Sequence, residues 1–422
     1  MVPVTEPATT HSEQDDGERP SVGAWLGLGA IIAGFTWLAL WNWWAFVIAA
    51  SLVVFVFLHE MGHYLAARAT GMKATEFFLG FGPRIWSVRR GDTRFGIKAI
   101  WAGAYVKVIG MNSLDEIDDP GDEPRTYRQA TYPRKVLLAS AGSLMHFALA
   151  FVLLVMLFGV TGQRDFDGWD EADWQVGRVL AGGPAATAGI ESGDVITSVA
   201  GVPVETFDDL RDAVMPRAGE SVPVVVERDG ALIDTVVLVE AAEVDGEVVG
   251  RLGVTQQPTD IPLVKESLPE AVWHSATEVP TVIWRAVEAV GSFATNFGDF
   301  VGRVLSSPGA DDAMENPESR PVSLVGVVQV GAEAGDGVGL SAVIELMAVL
   351  NIFLGVFNLL PLLPLDGGHI AVATYERIRS TRDHRYVVDI TKVLPVTYTV
   401  FLLLVFLGVG SLWLDITSPI TQ

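Results

Sequence analysis

The stretch WAFVIAASLVVFVFLHEMGHYLA, residues 44–66, begins as an uninterrupted apolar run and ends with two histidines and a glutamate. No charged residue separates this run from Arg19, far upstream. Such a run is typical of a helix that crosses a lipid bilayer. Lipid penalises polar groups, so ionisable side chains within a span need partners and are functional by default. His59, Glu60 and His63 are therefore the first candidates for a functional site.

Further apolar blocks run through the 422-residue chain, half of which is hydrophobic. Because about 20 apolar residues cross the hydrocarbon core, we predict a polytopic α-helical membrane protein with about five transmembrane helices. One continuous helix over residues 22–67 would measure roughly 70 Å, more than twice the core thickness. We therefore expect two helices that turn near the tryptophans at 41–44. The five apolar blocks are 22–41, 44–58, 137–160, 341–365 and 393–414.

The net charge of −23 is distributed unevenly along the chain. Residues 161–341 hold 10 basic and 31 acidic residues, residues 68–135 hold 12 and 8, and residues 372–392 hold 5 and 3. Loops rich in Lys and Arg stay in the cytoplasm, which predicts two cytoplasmic loops and an extracytoplasmic middle segment. So acidic a protein has no electrostatic basis for binding nucleic acid. Residues 1–21 lack the basic start of a signal peptide and are expected to form a disordered cytoplasmic tail.

His59 and His63 stand four residues apart, so a helix places them on one face, where they can bind one metal ion with Glu60 as general base. The chain has no cysteine, so the ligands must be nitrogen and oxygen atoms. Catalytic zinc usually takes three protein ligands. The best third candidate is Asp366 in NLLPLLPLDGG, residues 358–368, where prolines and glycines interrupt an apolar span. The alternative is that Asp366 only caps the following helix.

HEMGH on an early span and NLLPLLPLDGG on a late one resemble the site-2 protease family of intramembrane zinc metalloproteases. The resemblance implies that Zn2+ is bound by two histidines and one aspartate, with a glutamate as catalytic base. It also implies that residues of the second motif contact the substrate. The implied ligands are His59, His63 and Asp366, the base is Glu60, and the substrate contacts are Asn358 and Pro361.

Other stretches extend the resemblance, and one departs from it. Residues 80–110 resemble the family's membrane-associated β-hairpin region, and RPVSLVGVVQVGA, residues 320–332, resembles the stretch before its third core span. Many members carry Gly-Pro-x-x-Asn where this chain has AGSLMHF, residues 141–147. His146 replaces the asparagine and is a candidate substrate-binding residue that donates a hydrogen bond to the developing oxyanion. The alternative is a histidine satisfied by a neighbouring backbone carbonyl.

The string GGPAATAGIESGDVI, residues 182–196, resembles the signature of bacterial PDZ domains. Short β-branched runs follow it and predict strands, so we expect one extracytoplasmic α+β PDZ domain. PDZ domains bind extended peptides by adding a strand to a sheet edge, here with a groove near residues 176–179. The domain could instead act only as a steric cap. An amphipathic helix is expected after it, because apolar residues recur there at helical spacing.

The predicted organisation places the candidate site within membrane-spanning segments. The segments are a cytoplasmic tail (1–21), two transmembrane helices (22–67), a cytoplasmic membrane-associated β region (68–135), a transmembrane helix (136–160), the PDZ domain (172–258), an extracytoplasmic amphipathic helix and linker (261–340), a broken transmembrane helix (341–371), a cytoplasmic loop (372–392) and a final transmembrane helix (393–414).

The resemblance implies a zinc-dependent intramembrane endopeptidase in the lipid bilayer of a bacterial plasma membrane. Its expected substrates are single-span membrane proteins such as anti-sigma factors, cut first outside the membrane by a separate site-1-type protease. Remnant signal peptides are an alternative substrate class. A non-catalytic PDZ scaffold and a metal transporter are rival functions, but neither needs Glu60 beside His59.

Overall fold

The structure is a computed structural model that describes residues 21–111, 117, 119–165, 170–180, 182–244, 247–259, 261–306, 321–381 and 386–417. The expected tail, residues 1–21, lies outside the described residues except for Ser21. The chain divides into two compact units, Met1–Leu153 with Thr277–Leu414 and Leu154–Ala276 with Asp415–Gln422. The first unit contains the residues of the candidate site, and the second contains a β-rich domain.

The helices are α1 (Val22–Trp41), α2 (Trp43–Thr70), α3 (Tyr132–Met156), α4 (Pro184–Thr187), α5 (Phe207–Val214), α6 (Leu268–Thr295), α7 (Phe297–Ser306), α8 (Leu324–Val338), α9 (Leu340–Asn358), α10 (Asp366–Arg379) and α11 (Ile390–Thr417). The strands are β1 (Ala74–Arg90), β2 (Thr93–Val108), β3 (Gln163–Arg164), β4 (Trp174–Val179), β5 (Val195–Val199), β6 (Val202–Pro203), β7 (Ser221–Arg228), β8 (Ala231–Leu238), β9 (Glu240–Val244), β10 (Glu247–Arg251), β11 (Val254–Pro258) and β12 (Leu263–Val264). Five helices of the described part, α1, α2, α3 with the turn after it, α9 and α11, are long and apolar enough to cross a membrane. This confirms the prediction of a multi-pass membrane protein with about five spans.

A single residue, Asn42, separates α1 from α2. Its backbone is extended, and its side chain accepts a hydrogen bond from the Ala45 backbone N–H at 2.9 Å. An asparagine that satisfies a free N–H in the first turn is a favourable helix start. The Asn42 amide also donates to Asp336 Oδ2 at 2.7 Å, which ties the junction to α8.

The strands β1 and β2 fold back on each other, so that two long strands form a sheet of four segments. Residues 76–79 pair with 104–107 on one side and with 94–97 on the other, while residues 84–90 pair with 93–98. The bend in β1 uses Gly80 and Gly82, whose φ angles are +88° and +79°. Residues 104–108, the edge segment, therefore form one margin of the sheet. No further strand pairs with them among the described residues.

Close contacts between glycine and neighbouring helices bring α2, α3 and α9 together. A Cβ on Gly62 of α2 would lie 2.5 Å from the Ala141 carbonyl oxygen of α3. A Cβ on Gly355 of α9 would lie 2.6 Å from the Phe147 ring. Lipid supplies no hydrophobic drive between helices, so small residues that allow close backbone approach stabilise such contacts.

Residues 261–340, expected as one amphipathic helix and a linker, contain three helices in the described part. The second half of α6 packs inside the first unit, where Val282 and Ala286 join a cluster with Ala150 of α3 and Ile352 of α9. Helical spacing of apolar residues indicates a buried face, but the partner of that face cannot be read from spacing. Here the partner is protein.

The second unit contains the β domain, residues 174–258. Its main sheet has the antiparallel order β6-β5-β7-β8, and β4 pairs separately with β11. Alternate residues of these strands, including Val176, Ile196 and Val224, are fully buried in one core. Arg228 donates to both carboxylate oxygens of the buried Asp194, at 2.7 and 2.8 Å. The two-residue pair β3–β12 joins the chain entering the domain to the chain leaving it.

Candidate metal centre

His59 and His63 lie on the same face of α2, one turn apart, and their Nε2 atoms are 3.2 Å from each other. Asp366 is the first residue of α10 and points its Oδ2 atom at both rings. That oxygen lies 3.3 Å from His59 Nε2 and 3.2 Å from His63 Nε2. The structure thus brings the two histidines of one motif and the aspartate of the other to a single point.

The spacing of these three atoms fits zinc. Tetrahedral ligands at about 2.0–2.1 Å from Zn2+ lie about 3.3–3.4 Å from one another, close to the observed separations of 3.2–3.3 Å. Although Asp366 Oδ2 is buried and close to both rings, it makes no hydrogen bond of acceptable geometry within the described residues. A buried polar atom without a hydrogen bond is costly, and a bound metal ion would remove that cost.

The orientation of His63 also suits a metal ligand. Its Nδ1 lies 2.8 Å from the Leu138 carbonyl oxygen, which can only accept, so Nδ1 carries the proton. The neutral ring then has a free lone pair on Nε2, the atom that faces Asp366. Metal-binding histidines usually donate the other ring N–H in this way, which fixes the tautomer and the ring orientation.

Glycines allow the backbone to close around the ligands. A Cβ on Gly142 of α3 would lie 2.6 Å from His59 Nδ1 and Nε2, so only a glycine permits α3 to pack against that ring. After Asp366, a Cβ on Gly367 would overlap the Leu359 carbonyl group, and one on Gly368 would lie 2.5 Å from Leu363 N. The residues 359–365 therefore fold back over the start of α10.

Glu60 lies between the two histidines in sequence and is partly buried. Its carboxylate lies close to the backbone of Val106, which belongs to the edge segment of the sheet. The candidate base thus stands between the metal ligands and the unpaired margin of the β region.

His146 is buried on α3, with its ring centroid 5.0 Å from that of His59. Its Nδ1 lies 2.8 Å from Asn351 Oδ1, and the Asn351 amide donates to the Met347 carbonyl at 2.8 Å. Asn351 Oδ1 is therefore the acceptor, Nδ1 of His146 carries the proton, and Nε2 of the neutral ring can accept but not donate. The expected role as an oxyanion donor requires the protonated ring.

Asn351, which is fully buried, is not among the site residues predicted from the sequence. Its position in the sequence could have identified it as a candidate, because Asn351 lies two helical turns before Asn358 and so shares a face of α9 with it. Asn358 ends α9 and is half-buried, and Pro361 is exposed in the fold-back loop. Both precede Asp366 on the same connection, but their side chains are not part of the three-atom cluster. His369 lies one turn after Asp366 and lines a cavity beside it.

Residues 47–405 match peptidase family M50. The zinc metalloprotease Rip1 of Mycobacterium tuberculosis (strain ATCC 25618 / H37Rv) is 34% identical over 402 residues, covering 88% of this chain and 96% of that protein. The zinc metalloprotease Rip1 of Mycolicibacterium smegmatis is 34% identical over 408 residues, covering 88% of this chain and 97% of that protein. With five membrane-spanning candidates and a cluster that fits zinc, the chain is a multi-pass membrane zinc metalloprotease and belongs to peptidase family M50, the site-2 protease family.

Proposed function

We propose that this metalloprotease hydrolyses peptide bonds inside the membrane, with His59, His63 and Asp366 as its zinc ligands. The convergence of their three ligand atoms within 3.3 Å carries the proposal. His59 lies 16 residues after the start of α2, so about 24 Å along the helix. That depth favours a substrate whose scissile bond is itself within or at the edge of the bilayer.

Zinc bound to these ligands would polarise the scissile carbonyl and lower the pKa of the attacking water. Glu60 then takes a proton from that water and later delivers it to the leaving amine. Its contact with the Val106 backbone holds the carboxylate on the side of the edge segment. His146, held by Asn351, lies next to His59 and orients groups at the reacting centre.

A transmembrane helix hides its carbonyl groups in hydrogen bonds, so the substrate must unwind before it is cut. Addition of the unwound segment to residues 104–108 would replace the lost hydrogen bonds by strand pairing. Asn358 and Pro361, which lead into the Asp366 turn, are proposed to contact this strand. Single-span membrane proteins, such as anti-sigma factors, are the proposed substrates, because one short helix is the simplest to unwind. Remnant signal peptides satisfy the same requirement.

The β domain is proposed to be an extracytoplasmic PDZ domain, in a bacterial plasma membrane protein whose residues 68–135 and 372–392 face the cytoplasm. The support is charge, because basic loops stay inside and the segment 161–341 is strongly acidic. A cysteine introduced at Ser192 should react with an impermeant label in intact cells, and the native chain has no cysteine to remove. Labelling only after permeabilisation would invert this topology.

We expect the PDZ domain to restrict access, so that a separate site-1-type protease must first remove the outer part of the substrate. The two chain connections of the β domain support this. One follows α3 and the other precedes α6, and the short strands β3 and β12 pair these two connections with each other. A folded domain attached to the chain at both of its ends can block a bulky partner sterically. Binding the new carboxyl terminus of the trimmed substrate is the alternative role for the same groove.

The test compares Glu60→Gln with Asp366→Ala in purified protein. Glu60→Gln should keep about one zinc per chain and lose cleavage, because the base is lost while the ligands stay. Asp366→Ala should lose both zinc and cleavage, because two histidines hold the metal too weakly. Normal turnover by Glu60→Gln would refute the mechanism. Full zinc occupancy in Asp366→Ala would show that the third ligand lies elsewhere.

A further inference from the structure

A cavity of about 400 Å³ lies beside the candidate metal centre. Its walls come from the edge segment of the sheet, the fold-back loop, the first turn of α10 and the start of α11, all in the first unit. The main apolar walls are Val106, Val108, Leu363, Pro364, Val393 and Leu394. A cavity of about 150 Å³ holds a benzene ring, so this one has room for a large side chain and part of its backbone.

The cavity is lined by residues that neighbour the proposed base, Glu60, and the proposed ligand Asp366. Val106 contributes one wall, and its backbone is in contact with the Glu60 carboxylate. Leu363 and Pro364, which precede Asp366 by three and two residues, contribute another wall, and His369 follows that aspartate by one helical turn. A side chain inside the cavity would therefore belong to a peptide residue close to the proposed site of cleavage.

The edge segment explains why the occupant is a peptide. Residues 104–107 pair with β1 on one side only, so N–H and C=O groups on the other side have no strand partner among the described residues. A lipid chain could fill an apolar cavity but cannot satisfy these groups, whereas an extended peptide can. Successive side chains of an added strand alternate between two faces, so a paired peptide directs every second side chain towards one side.

We propose that this cavity is a specificity pocket that receives one bulky apolar side chain of the substrate, such as Leu, Met or Phe, close to the bond that is cut. The proposal rests on the proposed function and adds a residue preference to it. One methylene more or less in an apolar pocket changes kcat/KM by about 10–200-fold. One substrate position should therefore prefer Leu over Ala by that factor, while its neighbours should not.

The experiment scans substrate positions against a matched pair of variants on α11. Val393 lines the cavity, whereas Val396, on the next turn of the same helix, does not line it and is 58% exposed. Full-length wild type, Val393→Trp and Val396→Trp are assayed on membrane-embedded model substrates carrying Ala, Leu, Phe or Asp at each of three positions on both sides of the cut. Zinc content and thermal stability are measured for every variant.

Val393→Trp should remove the Leu-over-Ala preference at one position and leave the other positions unchanged, whereas Val396→Trp should behave as wild type. Val393→Ala, which enlarges the cavity, should raise cleavage of a substrate with Trp at the same position. A soluble peptide with the same sequence is scanned in parallel, so the pocket is tested even if membrane spans are not cut and the proposed function fails.

Three outcomes would overturn the pocket while leaving intramembrane cleavage standing. The first is an unchanged preference at every position in Val393→Trp and Val393→Ala. The second is an equal effect of Val393→Trp and Val396→Trp. The third is loss of a tightly bound phospholipid from Val393→Trp, seen by native mass spectrometry, with no change in preference, which would assign the cavity to a lipid chain.

Discussion

Replacing Gly142 by alanine tests the packing of α3 against the metal centre. The added Cβ would lie 2.6 Å from His59 Nδ1 and Nε2, and an ordinary contact begins at 3.4 Å. The ring and the helix must therefore separate by at least 0.8 Å, the difference between these distances. Metal–ligand distances tolerate only about ±0.2 Å, so His59 cannot keep its place without moving α3.

The expected result is a loss of zinc affinity. Removing a group that only orients a metal ligand costs about 10–100-fold in affinity, and moving the ligand itself should cost at least as much. A misplacement of about 1 Å also costs about 100-fold in rate. Zinc affinity is measured by competition with a chromophoric chelator, and cleavage is measured at saturating zinc.

The control is Gly34→Ala in α1, where an added Cβ meets nothing within 4 Å. Overpacking also destabilises proteins by about 1–3 kcal/mol, so thermal stability is recorded for both variants. Zinc affinity and turnover of Gly142→Ala equal to those of Gly34→Ala would refute the argument that α3 holds His59 in place.

Two further predictions concern the β domain. Trp174 and Pro258 are paired across β4 and β11, so deleting residues 175–257 rejoins neighbouring backbone. We expect the variant to cut untrimmed substrates. If the ratio of the cleavage rates of long and trimmed substrates does not change, size selection by this domain is excluded. Arg228 holds the pKa of Asp194 below its usual range. Because the folded-state pKa is depressed, the stabilisation is present above the unfolded value of about 3.9 and is lost as the pH falls through the folded value. The protection factors of amides in residues 174–258, which correct for the intrinsic pH dependence of exchange, should therefore fall at acidic pH. This acid-dependent loss of protection should be absent in Asp194→Ala, and equal acid sensitivity of both proteins would show that the pair does not stabilise the fold.

The sequence could predict the features that depend on local composition. The apolar blocks were enough for the spans, because the hydrocarbon core accepts little else. The i, i+4 spacing placed His59 and His63 on one face, and the broken span singled out Asp366. The partner of His146 lies 205 residues away in Asn351, and no local pattern connects two helices at that distance.

The pairing within the sheet and the burial of α6 also could not be predicted from local sequence. The resemblance of residues 80–110 to a β-hairpin region predicts strands, but not that residues 76–79 pair with both halves of β2. The decisive bend depends on positive φ angles at Gly80 and Gly82. For α6, an apolar face looks the same in sequence whether lipid or protein covers it. Its burial against Ala150 and Ile352 therefore needed the structure.

The long interval between the two parts of the metal centre bears on how the enzyme is made. Asp366 follows His63 by 303 residues. A chain is synthesised at roughly 5–20 residues per second, so the aspartate emerges about 15–60 s after the histidines. On the proposed ligand set, a ribosome-bound chain has the base and two imidazoles in the bilayer but not the third ligand. On that ligand set and the proposed function, we expect peptide-bond cleavage to be withheld during translation, so that neighbouring spans entering the membrane in that interval are not cut by the unfinished protease.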